Sequence, residues 1–107
     1  MRFRNLILAV IGSVVVVTFA QAQPLTVRQK GRILAREVCA QCHAVGRQRL
    51  RSPNSEAPTF VSVASTPGMT EMALNVFFLT SHRAMPNLIL TPDQRTEIVA
   101  YILSLKR

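Results

Sequence analysis

Cys39 and Cys42 stand three positions apart, and His43 follows the second thiol directly, in the run Cys39-Ala40-Gln41-Cys42-His43. Two thiols at this spacing with an adjoining imidazole form the C-x-x-C-H pattern of covalent c-type haem attachment. Each sulfur can add across one vinyl group of the porphyrin, leaving two thioethers that fix the ring. The imidazole is then held beneath the iron, where a ring nitrogen can serve as proximal axial ligand. Other chemistries use the three residues less well. A thioredoxin-like pair needs a neighbouring strand–helix pattern, and none is visible. A zinc site needs two more ligands, but the chain has no further Cys and His82 is its only other His. A disulfide across so short a loop leaves His43 without a role.

A haem held by His43 has a second axial position, and its occupant decides the chemistry. An open position binds oxygen or peroxide, whereas a thioether closes the site and raises the potential, favouring electron transfer. The candidates beyond His43 are Met69, Met72 and Met85, with His82 as an outsider. Met85 is the strongest. It falls in a loop between two expected helices and precedes Pro86, which lacks an N–H and fixes the local backbone. Met69 is the second choice, just before a helix. Met72 lies within that helix, where a methionine fills a core by default.

The elements that must position these groups have helical signatures. From Thr26, apolar residues recur at Val27, Leu34, Ala35 and Val38 and run into Cys39. Gly31 sits on the same stripe, and glycine inside a helix costs about 1 kcal/mol relative to alanine. Such a glycine is expected where a second backbone or a large ring comes close. Gly46 ends the attachment turn, and residues 47–57 read as an irregular basic loop with Arg47, Arg49, Arg51 and Pro53. Arg51 could meet a haem propionate, or the loop is simply solvated. Ala57 to Phe60 turns the chain back towards the core, and Pro67-Gly68 marks another turn.

A short helix is expected over Thr70 to Leu79, with Thr70 as N-cap and Leu74, Phe77 and Phe78 as core or pocket walls. The last helix opens on Thr91, Pro92 and Gln94, a capping box with proline at its first position. Ile98, Tyr101, Ile102 and Leu105 then form one apolar stripe, and Lys106 and Arg107 suit the negative end of the dipole. No repeat and no alternating strand pattern occurs, so the predicted fold class is all-α.

The amino terminus reads as an address. Arg2 and Arg4 precede an apolar run from Leu6 to Phe19, and Ala20-Gln21-Ala22 is a cleavage signal. That run of 14 residues falls short of the roughly 20 a membrane-spanning helix needs. The expectation is a signal peptide over residues 1–22, cleaved after Ala22, and a single domain over residues 23–107. The alternative is an uncleaved membrane anchor. Bacterial c-type haem is attached outside the cytoplasm, so leader and motif indicate one compartment, the periplasm.

The leader carries two of the chain's 13 Lys and Arg, which leaves 11 against five acidic residues in the mature domain. Two haem propionates lower that excess of six to about four. A basic surface is steered towards acidic redox partners at salt-dependent rates. It can equally serve solubility alone. Nucleic acid is excluded as a partner by the compartment and by the lack of any binding motif. A domain of this size has a small core and needs a staple, which a buried covalent haem supplies.

Gly31, the Cys39–His43 motif, Met85-Pro86-Asn87 and Ile98-Val99-Ala100-Tyr101-Ile102 together resemble the class I c-type cytochromes in their short bacterial, mono-haem form. The resemblance spans nearly the whole mature chain. It implies a cytochrome c fold, with three main helices and loops around one haem c and its iron, and His43 and Met85 as ligands. It also implies that the first and last helices cross near Gly31 and Tyr101, the missing side chain making room for the Tyr101 ring. A proline carbonyl is implied to accept a hydrogen bond from His43, with Pro58 the best match and Pro53 the fallback. The basic loop before Ala57 departs from the best-known mitochondrial pattern, which leaves the roles of Arg51 and His82 open.

Three functions follow as expectations. The first is a soluble one-electron carrier, monomeric and without catalytic residues. The second is a dedicated cytochrome subunit of a dehydrogenase or oxidase complex. The third is a peroxidase or gas-binding protein with an open sixth position.

Overall fold

The computed structural model describes residues 14–82 and 84–107. Its element order is α1 (Val27–Leu34), a π-helical turn (Ala35–Cys39), α2 (Phe60–Ser65), α3 (Glu71–Leu79) and α4 (Pro92–Leu103). No strand occurs among the described residues, as expected of an all-α fold. The start of the expected leader, including Arg2, Arg4 and the first part of its apolar run, lies outside the described residues. From Val14 to Leu25 the chain is exposed and carries no regular structure. No helix among the described residues is long and apolar enough to cross a membrane.

Each helix starts on a threonine whose hydroxyl takes up an otherwise unpaired N–H. Thr26 and Gln29 form a reciprocal capping box at α1, and Thr91 and Gln94 form another at α4. Thr70 accepts from Ala73 N at 3.1 Å to start α3. Thr59 does the same for Ser62 N at 3.1 Å, starting α2, a helix between the two expected turns that is too short to carry an apolar periodicity of its own. The expected dipole partners Lys106 and Arg107 lie beyond the Ser104 cap of α4. The guanidinium that reaches the end of α4 is that of Arg47, which donates to the Ser104 carbonyl at 2.9 Å.

α4 packs across α1 and also meets α2 and α3. Ile98, Tyr101, Ile102 and Leu105, the expected stripe, are all buried, with Val99 beside them. On the facing helix the expected stripe holds at Gly31 and Ala35 and fails at Val27 and Val38. Val27 and Val38 are largely exposed, while Gly31, Ala35 and Cys39 are buried. The reason is close approach of the two helices, which only small residues permit. A Cβ at Gly31 would overlap the Glu97 carbonyl of α4 and lie 2.8 Å from Tyr101 Cβ. The expected contact with the Tyr101 ring is therefore corrected. The glycine makes room for the α4 backbone, and for the root of the tyrosine side chain.

The widened turn at Ala35–Cys39 comes directly after this crossing. A π-helical turn accommodates one extra residue and re-aims the side chains after it, and such turns recur at functional sites. Here it delivers the chain from the α1–α4 contact into the Cys39–His43 motif.

Candidate haem site

The Cys39 carbonyl accepts hydrogen bonds from the N–H groups of Cys42 and His43, at 3.2 and 2.9 Å. The motif is thus a compact turn that continues the helix before it. No disulfide joins the two sulfurs; Cys39 is buried and Cys42 half-buried. Burial pushes the Cys39 thiol up to about 11 from its ordinary 9.0, the mark of an apolar setting that disfavours a charged sulfur. A thioether carries no charge and suits that apolar setting.

His43 is fixed from several sides. Its Nδ1 lies 2.7 Å from the Pro58 carbonyl oxygen. A carbonyl only accepts, so Nδ1 carries the proton and, in the neutral imidazole, Nε2 keeps its lone pair for a metal. The Phe60 ring stands 5.4 Å from the imidazole and tilted by 50°. Behind it, Tyr101 packs 6.5 Å from Phe60 and donates its hydroxyl hydrogen to the Val45 carbonyl. The basic loop is tied down as well. Asn54 N donates to Cys42 O at 3.1 Å, Ala44 N to Ser52 Oγ at 3.0 Å and Phe60 N to Ala44 O at 2.9 Å.

In front of His43 lies a cleft in two lobes, of about 280 and 180 Å³, both lined by His43, Pro58, Phe77 and Met85. Cys39 lines the larger lobe and Cys42 the smaller. Leu74, Phe78 and Ile102 make the larger lobe apolar. This arrangement fits a flat, largely apolar ring tethered at two edges. Each thiol serves one lobe, while an imidazole nitrogen and a thioether border both.

The candidates for the second axial position divide by lobe. Met85 borders both, Met69 only the larger and His82 only the smaller. His82 stacks on Phe77 with ring centroids 3.6 Å apart. Met72 is 77% exposed and borders neither lobe, so it does not fill the core as its helical position suggested. Arg51 is exposed and borders neither lobe, and Pro53 makes no hydrogen bond to His43. Phe60 and Ser52 are the residues sequence reasoning missed. Thr59 ahead of Phe60 was the available signal for the first, and nothing in the sequence marks Ser52.

The comparison with known proteins fits this geometry. Cytochrome c-552 of Bradyrhizobium diazoefficiens is 36% identical to the chain over 76 residues, which cover 71% of the chain and 72% of that protein. The chain belongs to the c-type cytochromes. No family model matches the sequence, and no solved structure matches it. As a c-type cytochrome the chain carries covalently bound haem c and transfers electrons; it is not an enzyme.

Proposed function

We propose that the protein is an exported, soluble one-electron carrier whose haem iron is ligated by His43 and Met85 and tethered through Cys39 and Cys42. The observation that carries the ligand reading is that Met85, alone of the candidates, borders both lobes with His43. When bound, the haem supplies a one-electron Fe(II)/Fe(III) couple. The protein's part is to hold the ligands and keep water away. The Pro58 carbonyl orients the imidazole and raises its donor strength. Phe60, Leu74 and Phe78 give the lobes apolar walls, which lower the local dielectric. Export through the residue 1–22 leader to the periplasm belongs to the same reading, and a mature mass beginning at Gln23 tests it.

The ligand test is the reduced Met85→Ala holoprotein under carbon monoxide. The native protein should exclude the gas and the variant should bind it at close to one equivalent. Near-stoichiometric binding by the native protein would overturn the carrier reading in favour of a gas-binding one. An unchanged spectrum in the variant would remove Met85 as ligand, and repeating the substitution at Met69 and His82 would find the group that serves.

One observation favours a second reading, the dedicated subunit. Met72, Val76 and Leu79 form an apolar stripe on α3 that is 77, 55 and 67% exposed. Apolar surface of this kind is common at protein interfaces. Co-purification of the native protein with a catalytic chain at high salt supports the subunit; a monomer supports the carrier.

A further inference from the structure

A strongly basic concavity runs along α1 and the attachment segment, sharing His43 with the cleft. Arg28, Arg32 and Arg36 recur every four residues along α1 and the π-helical turn, so they share one face. With Arg47 and Arg49 they line a groove of about 880 Å³. None of the chain's five acidic residues borders it. The ion pair among the described residues, Lys30 with Glu97 at 3.9 Å, lies outside it. Like charges at this spacing weaken a helix, so the row has a cost that its fold does not recover. Arg47 is pre-set by its hydrogen bond to Ser104 O.

Shape and chemistry narrow the occupant. Guanidinium forks match carboxylates in pairs of parallel hydrogen bonds. The row from Arg28 to Arg36 spans about 12 Å of helix, more than one small anion covers. A concave groove receives a projecting helix or loop better than a flat face. Ala40 and His43 also border the groove. An element seated there therefore lies against His43, the proposed ligand, and against Ala40 between the two tethering cysteines.

We propose that this groove docks an acidic projecting element of a redox partner, with carboxylates about one helical turn apart. The electron crosses at the Ala40–His43 face and not beside Met85. The inference rests on the carrier reading and gives it a location. One electron passes between the partner's centre and this chain's haem, with no bond made and no proton moved.

The test uses the ferrous holoprotein and two small oxidants, anionic hexacyanoferrate(III) and cationic tris(phenanthroline)cobalt(III). Arg32→Gln/Arg36→Gln should slow oxidation by the anion roughly three- to tenfold at low salt. It should not slow oxidation by the cation. Arg51→Gln/Arg95→Gln removes the same charge outside the groove and should change the anionic rate less than about twofold. A synthetic helix with Glu at every fourth position should protect the native protein from hexacyanoferrate, and its Gln counterpart should not. Equal losses in the two double variants, or none in either, would overturn the proposal by reducing the groove to bulk charge. Protection by tripolyphosphate but not by the acidic helix would overturn the protein partner in favour of a small polyanion. The carrier reading is judged separately, by carbon monoxide exclusion.

Discussion

The two walls of the haem cleft are built by different means. Behind His43, residues 39–60 are laced by hydrogen bonds: Cys42 and His43 to Cys39, Asn54 to Cys42, Phe60 to Ala44, Ala44 to Ser52 and His43 to Pro58. Opposite, the segment from Ser81 to Leu90 shows no hydrogen bond among its described residues. It is bounded by the end of α3 at Thr80 and the N-cap of α4 at Thr91. His43, the proposed proximal ligand, is held by the fold before any metal is considered. The distal one sits on a segment whose order rests on packing, on Pro86, and, in the proposed ligation, on the bond from Met85 to iron. A carrier gains from this division: one ligand is pre-set, and the other adds closure without a second rigid frame.

The largest break of the comparison should come from Gly31, beneath the proximal wall. In Gly31→Ala the new methyl overlaps a backbone carbonyl, which cannot swing aside like the end of a side chain. Overpacking of this kind costs about 1–3 kcal/mol, occasionally more, and the upper end applies here. For a domain of this size the melting temperature should fall by about 10–20 °C. Thermal unfolding of the holoprotein measures this. A loss under about 1 kcal/mol would mean that α1 and α4 separate easily and that the proximal wall is less fixed than its hydrogen bonds suggest.

A smaller break should come from Ser52. Ala44 is fully buried, and its N–H donates to the Ser52 hydroxyl. Ser52→Ala leaves that donor without its partner, at a cost of about 1–3 kcal/mol. Denaturant unfolding should register this loss while carbon monoxide exclusion stays intact, because the distal side is untouched. Carbon monoxide binding in this variant would show that the two walls are coupled.

How far the sequence revealed this architecture depended on the range of the signal. Caps and turns are local, so Thr26, Thr70 and the Thr91–Gln94 box could be read directly, and so could the Ile98–Leu105 stripe. The haem motif was legible because its chemistry demands a fixed spacing. On α1 the sequence placed Gly31 and Ala35 on the inner edge, but it also put Val27 and Val38 on that stripe, and their exposure depends on how α4 crosses, which hydrophobic periodicity does not register. Met85 could be singled out by its loop and by Pro86, whereas the exposure of Met72 depends on how α3 is placed against the core. The arginine groove joins a helical row to a loop, and no linear pattern links the two.

The gentlest substitution separates the walls most cleanly. Pro86 follows Met85, removes one N–H from a segment whose described residues give such groups no partner, and fixes its own φ. Pro86→Ala should act chiefly by widening the conformations open to the loop once Met85 lets go, an effect of about 0.4–1 kcal/mol. Exogenous imidazole binding to the ferric protein reads that release, and its affinity should rise about two- to fivefold. Pro53→Ala makes the same chemical change on the proximal side, where the Asn54 N–H is tied to Cys42 O. It should leave imidazole affinity unchanged. If both prolines shift the affinity alike, the distal segment is no freer than the proximal one, and the absence of hydrogen bonds from Ser81 to Leu90 has no bearing on how Met85 is held.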